Sequence, residues 1–354
     1  MKVKNKKTTE KVLMAGNEAI AEAAFQAGCF FYAGYPITPQ NELIAYLSWR
    51  LPEAGRVFVQ AESELAAINM VFGASAAGAR SMTSSSSPGV SLKQEGISYI
   101  AGARLPAVIV NIMRGGPGLG NIAPSQSDYF QSTRGGGHGD YHCLVFAPSG
   151  VQEAFDLTIS AFDLADIYRV PAMILGDGML GQMMEPITVR QPVQRKTDKP
   201  WALTGCAGRT PNVAKSFFLA EGALEKNNLI LQETYQEIRK KEQRFETFLT
   251  DDAAIILVAY GTMARFAKAA VKQLRKASKK AGLIRPISLW PFPDQAFSAA
   301  KKSKTFLVVE MSYGQMLEDV KLAINGRAKV EFLGRSGGGI PTEEEIIKKV
   351  KALL

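Results

Sequence analysis

Residues Arg56 to Gly89 read RVFVQAESELAAINMVFGASAAGARSMTSSSSPG, and their reading decides the fold class. Val57, Phe58 and Val59 predict a short buried strand, and Glu62 to Ala79 predicts a helix that is small or apolar on nearly every face. A helix without a polar face belongs in an interior. Two carboxylates, Glu62 and Glu64, ride at its first turn. A carboxylate carried into a dry interior must be paired, hydrogen-bonded or kept protonated; at a solvated helix start it merely offsets the helix dipole. Dipole compensation is the simpler reading for Glu62, and for Glu64 both readings stay open.

The same strand-then-helix step repeats on either side. Upstream, Gly16 to Cys29 has helical spacing, and Phe30 to Ala33 predicts a strand that runs into YPITP. Pro36 and Pro39 stiffen the backbone around Thr38, so its hydroxyl can be aimed at a ligand; it could equally cap the next predicted helix, Asn41 to Arg50. Downstream, Ser81 to Gly89 predicts a polar small-residue loop whose amides suit an anion or a substrate at the start of a helix from Ser91 to Ala103. PAVIVNIM (Pro106 to Met113) is an almost continuous apolar, β-branched run, the mark of a parallel strand covered on both faces. It ends at Arg114 in RGGPGLGN. Ligands of open parallel sheets sit beyond the carboxyl ends of strands, where an arginine fork suits a carboxylate and glycines admit a ligand close to the backbone. No dinucleotide GxGxxG with its acid and no Walker lysine is present.

The strand Cys143 to Pro148, the helix Val151 to Tyr168 and the strand Pro171 to Asp177 complete a doubly wound parallel α/β sheet. His138 and His142 lie between, in GGGHGDYH, where glycines disfavour the helix that a metal pair would need. A mobile loop at the mouth of the site is expected. The organisation reads as a basic tail (1–12), a first domain (13–185), a connector with a long charged helix from Asn227 to Leu249 (186–250), and a smaller α/β domain with parallel strands (251–354).

Composition sets bounds. Of 354 residues, 46% are hydrophobic and 21% charged, ordinary values for a globular protein. No apolar run reaches the roughly 18 residues of a membrane span, and no apolar stretch follows the basic start, so a cytoplasmic location is expected. Cys29, Cys143 and Cys206 lack any CxxC spacing, which disfavours a cluster or zinc site ligated by this chain alone. The net charge of +9 comes from lysines in the tail, around Lys240 and around Lys276, Lys279 and Lys280, without interleaved aromatics. That pattern is solvated surface, with no specific nucleic-acid platform.

Beside this reading stands a likeness. GNEAIAEAAFQAGCFFYAGYPITP, QAESELAAINMVFGASAAGA, NIMRGGPGLGN, GGGHGDYH, DGMLGQMMEP, VAYGTMARFAK, RPISLWPFP, VVEMSYGQMLEDV and GRSGGGIPT follow in order. From Gly16 to Leu354 the chain resembles the alpha subunit of thiamine-diphosphate-dependent 2-oxoacid:ferredoxin oxidoreductases. The resemblance implies a pyrimidine-type thiamine-diphosphate-binding domain followed by a transketolase C-terminal-like domain. It also implies a beta subunit holding the cofactor's diphosphate and Mg2+, gamma and ferredoxin-like delta subunits, [4Fe-4S] centres on those partners, coenzyme A as co-substrate and ferredoxin as electron acceptor.

Residue by residue, Glu64 matches the glutamate that hydrogen-bonds the aminopyrimidine ring nitrogen, a step that needs a buried, protonated acid. Thr38 matches a substrate-contacting threonine, and Arg114 the arginine that receives the 2-oxo acid's carboxylate. Tyr35, Pro36, Ile37, Ser86 and Pro88 are the further cofactor-binding positions implied. No metal ligand is expected here: Gly176-Asp177-Gly178 imitates the start of the family's magnesium motif, but no asparagine occurs before Asn212. RGGPGLGNI with GGGHGDYH is most similar to the branch that oxidises 2-oxoisovalerate (3-methyl-2-oxobutanoate), with 2-oxoglutarate enzymes the near alternative. A noncatalytic scaffold is the reading from another class, and the joint presence of Thr38, Glu64 and Arg114 argues against it.

Overall fold

The computed structural model describes residues 11–190, 197–300 and 303–354. Residues 1–10 of the expected tail and 191–196 of the expected connector lie outside the described residues. The first part runs β1 (Val12–Ala15), α1 (Gly16–Gln26), β2 (Phe31–Gly34), α2 (Asn41–Glu53), β3 (Val57–Gln60), α3 (Glu64–Ala76), β4 (Ser81–Ser85), α4 (Ser87–Gly102), β5 (Ala107–Met113), α5 (Tyr129–Thr133), β6 (Leu144–Phe146), α6 (Val151–Tyr168), β7 (Pro171–Asp177), α7 (Gly178–Gln182) and β8 (Met184–Ile187). The second runs α8 (Ala223–Lys241), β9 (Phe245–Phe248), β10 (Ile255–Val258), α9 (Gly261–Lys276), β11 (Ala281–Pro286), β12 (Ser288–Trp290), α10 (Asp294–Ala299), β13 (Thr305–Glu310), α11 (Gln315–Ile324), β14 (Lys329–Gly334) and α12 (Glu343–Leu353).

A seven-stranded sheet, order β12-β6-β7-β5-β4-β2-β3, forms the larger body, and every pairing in it is parallel except β12 with β6. β5 and β7 are buried along their whole length, as their apolar runs require. α1 packs on α2 and α6, while α3 packs on α4. A five-stranded sheet, order β14-β13-β10-β11-β9, forms the smaller body.

Four expectations are corrected. Ser81–Ser85 is no loop but β4, near the middle of the large sheet and buried throughout. Hydroxyls can line a buried strand because each finds a partner: Ser84 Oγ contacts Tyr32 Oη at 2.6 Å and donates to Gln40 at 2.7 Å, and Lys93 donates to Thr83 at 2.9 Å. Second, β3 is an edge strand with an exposed Val57, and α3 is covered on one side only, leaving Leu65 47% and Met70 38% exposed. Third, the charged helix spans only Ala223–Lys241. Phe245–Phe248, taken as its end, alternates exposed and half-buried residues as a strand does and pairs antiparallel with β11. Fourth, the loop carrying both histidines lies away from the strand ends. Ser98 Oγ donates to the His138 carbonyl at 2.7 Å, and His142 stacks on Trp290.

The two bodies are sewn together. After β11 the chain crosses back, and β12 extends the large sheet beside β6, antiparallel to it. Gln126, fully buried, accepts from the Met311 amide at 2.9 Å and donates to the Tyr260 carbonyl at 3.0 Å. Among the described residues, no helix is long and apolar enough to cross a membrane.

Candidate active site

Because β2, β4, β5 and β7 run parallel, their carboxyl ends open on one edge of the sheet. The turn after β2 carries Tyr35 to Thr38, Ser86 follows β4 as the N-cap of α4 with Pro88 in that helix's first turn, and Arg114 follows β5. α3 delivers the acid. Ser63 caps that helix, its Oγ accepting from the Ala66 amide at 3.1 Å, and this sharp start turns Glu64 inward, 5% exposed. Glu62 precedes the cap and is exposed, so the first-turn position belongs to Glu64 alone.

The Glu64 carboxyl is thinly bonded for a buried group. Its one hydrogen bond among the described residues comes from Ser85 Oγ at 3.5 Å, the limit of such a bond. Gly89 leaves room for it: a Cβ built there would overlap Glu64 Oε1 and Ser85 Oγ and lie 3.0 Å from Glu64 Cδ. One turn further along α4, fully buried Lys93 donates to the Glu64 backbone carbonyl at 3.4 Å. Burial pushes its ammonium down to about 7, and the Glu64 charge opposes that shift.

Thr38 and Arg114 are brought together. Arg114, 6% exposed, donates through one terminal nitrogen to the Thr38 carbonyl and through the other to the Leu119 carbonyl, each at 3.0 Å. The fork expected to be free for a carboxylate is thus engaged with backbone, and Nε is the donor left without a protein acceptor among the described residues. Thr38 does not cap α2; Gln40 stands at that cap. Ser86 is buried with an unpartnered Oγ, Pro88 and Ile37 are half-buried, and Tyr35, Pro36 and Thr38 are exposed on the rim. The start of α4 is partly spent, since the Ser87 amide donates to Asn111 Oδ1 at 3.1 Å and Ser87 Oγ to Asp128 at 2.6 Å. Asp177 accepts from the Met179 and Leu180 amides at 3.0 and 3.1 Å, so its carboxylate serves as the cap of α7.

Ser85, Gly89 and Lys93 went unnoticed in the sequence. SSSSPG reads as a turn, and a lysine in SLKQEG reads as solvated. Only the spacing of four between Gly89 and Lys93 could have placed them on one helical face.

Residues 22–247 match the pyruvate flavodoxin/ferredoxin oxidoreductase thiamine-diphosphate-binding domain, and residues 253–346 match pyruvate:ferredoxin oxidoreductase core domain II. The chain is 50% identical over 343 residues to ketoisovalerate oxidoreductase subunit VorB of Methanothermobacter marburgensis, covering 96% of this chain and 97% of that one. It belongs to the 2-oxoacid:ferredoxin oxidoreductases, as an alpha-type subunit. Within these oxidoreductases, 2-oxoglutarate synthase subunit KorA of Methanothermobacter thermautotrophicus is 37% identical, covering 97% of this chain and 98% of that one. The structure of 2-oxoglutarate:ferredoxin oxidoreductase from Magnetococcus marinus with 2-oxoglutarate, coenzyme A and succinyl-CoA bound matches with a TM-score of 0.87 at 27% identity. That match covers 99% of this chain and 66% of the other.

An oxidoreductase of this family uses thiamine diphosphate, and the residues present fit the pyrimidine end of that cofactor. Three observations carry the fit: a buried carboxyl short of a partner, the unspent donors Ser86 Oγ and Arg114 Nε, and a cradle at Gly89 that any side chain would fill.

Proposed function

We propose that this chain supplies the pyrimidine half of the thiamine-diphosphate site in a complex that oxidatively decarboxylates 2-oxoisovalerate with coenzyme A. The products are the acyl-CoA and carbon dioxide, and the electrons pass to ferredoxin. The observation that carries the reading is the buried Glu64 carboxyl with a single 3.5 Å hydrogen bond, which leaves it able to hold and exchange a proton at the aminopyrimidine ring nitrogen. Thiamine diphosphate, when bound, supplies the nucleophile for the 2-oxo group and the electron sink for loss of carbon dioxide. Thr38 lines the substrate side of the site, and Arg114 holds the Thr38 turn while offering Nε–H to the substrate carboxylate. Tyr35, Pro36, Ile37, Ser86 and Pro88 would hold the pyrimidine end of the cofactor when it is bound.

The substrate's side chain is read from the cavity beside Thr38, about 580 Å³ in volume. Pro39, Ile122, Pro124, Met179 and Ile340 line it; among the described residues Glu42 is the one charged side chain there and no cation lines it. An apolar branched chain suits such walls, whereas the second carboxylate of 2-oxoglutarate would meet the Glu42 charge without a counterion. Exposed Leu65, Met70, Leu119 and Ile122 around the strand ends support a partner seated over the site. The diphosphate, Mg2+ and iron–sulfur centres are assigned to such beta, gamma and delta partners.

The complex purified with its neighbouring subunits tests this. Glu64→Gln should retain assembly and abolish decarboxylation, and 2-oxoisovalerate should outcompete 2-oxoglutarate. Unchanged turnover in the variant removes Glu64 from the chemistry; a preference for 2-oxoglutarate overturns the substrate.

A further inference from the structure

Lys93 is a buried ionisable group that the reaction as read above does not use. It has no exposed surface, and lysines are almost never fully buried without a purpose-built partner. Two elements face it. From β4, Thr83 Oγ1 accepts at 2.9 Å and carries no charge; from α3, the Glu64 carbonyl accepts at 3.4 Å. Glu64 is also the one charged group that acts on the ammonium. Gly89, four residues earlier, brings the same face of α4 against the Glu64 carboxyl, so amine and acid occupy one dry compartment.

We propose that Lys93 is a positioning residue for Glu64: anchored on Thr83 Oγ1, it tethers the first turn of α3 through the Glu64 carbonyl and so keeps the carboxyl seated against Gly89. This rests on the role given to Glu64 above. Burial brings Lys93 down to about 7, so the tethering group changes its charge close to neutrality.

The test uses the assembled complex carrying Lys93→Met, Lys93→Gln or Glu64→Gln. Methionine keeps an unbranched chain without a buried charge, a kind of exchange that folded proteins tolerate; glutamine keeps donors for the tether but never a charge. Lys93→Met, which has no donor for the carbonyl, should lower kcat about tenfold with KM little changed, and Lys93→Gln should recover most of that loss. A second readout needs neither cofactor nor turnover. Lys93 binds its proton less tightly folded than unfolded, so its contribution to stability rises with pH from about 7 toward the ordinary lysine value of 10.5. Thermal unfolding of the cofactor-free wild-type complex should show that rise, and both Lys93 variants should lose it. A wild-type kcat in Lys93→Met, or equal losses in the methionine and glutamine variants, overturns the proposal, as do wild-type unfolding slopes in both. Failure of both variants to assemble makes Lys93 a folding residue and equally overturns it. Activity retained in Glu64→Gln instead strikes the underlying reading of Glu64.

Discussion

Gly89→Ala is the sharpest single test of the site. Gly89 lies inside α4 at an ordinary helical φ, so alanine by itself would favour the helix by about 0.5–1 kcal/mol. Sterics oppose it. The added Cβ would sit 3.0 Å from Glu64 Cδ and overlap both Glu64 Oε1 and Ser85 Oγ, where ordinary carbon contacts begin near 3.4 Å. The Ser85 hydroxyl must turn aside, which removes its hydrogen bond to the Glu64 carboxyl, and the Glu64 side chain must itself give way by on the order of 1 Å. Overpacking of this kind costs about 1–3 kcal/mol, and the gain in helix propensity offsets part of it. The net loss in stability is about 0–2.5 kcal/mol. A displacement of on the order of 1 Å at a reacting group, by contrast, lowers turnover about 10²-fold. Paired denaturant titration and kcat/KM measurement on the reconstituted complex separate the two effects. Turnover within about threefold of wild type in a folded Gly89→Ala complex would refute the idea that Glu64 acts from the position described.

Arg114→Lys replaces a fork that bridges two carbonyls with a point charge that cannot span them, and the KM for the 2-oxo acid should rise about tenfold, read from steady-state kinetics. Arg285 on β11 grips Glu153 of α6 by two bonds of 2.9 Å and Glu246 by a third of 2.9 Å, so it pins the small sheet to the large one. Arg285→Met should lower unfolding stability by about 2–3 kcal/mol, below the range for a fully buried pair because both carboxylates are partly solvated. Burial pushes the Cys29 and Cys143 thiols up to about 12, while Cys206 is exposed. A thiol reagent should therefore label Cys206 quickly in the native protein and reach the other two only after denaturation.

Sequence alone carried the regular part of this protein. The apolar runs at Pro106–Met113 and Pro171–Asp177 mark central parallel strands because such strands are dry on both faces, and the helix between Val151 and Tyr168 was legible to the residue. Glu64, Thr38 and Arg114 could be named as candidates, because parallel strands put their ends on one edge and a carboxylate at the start of an apolar helix has little water to face; the roles proposed for them came from the resemblance. Tertiary structure decided the rest. Polar β4 is a strand because its neighbours accept its hydroxyls, β12 joins the large sheet because the chain crosses back, and Arg114's fork is engaged because two carbonyls fold onto it. Lys93 beside Glu64 is the clearest such case. Local pattern records which residues are apolar and at what period, but whether a polar group is dry, and what it then bonds to, depends on segments distant in sequence that only packing brings together.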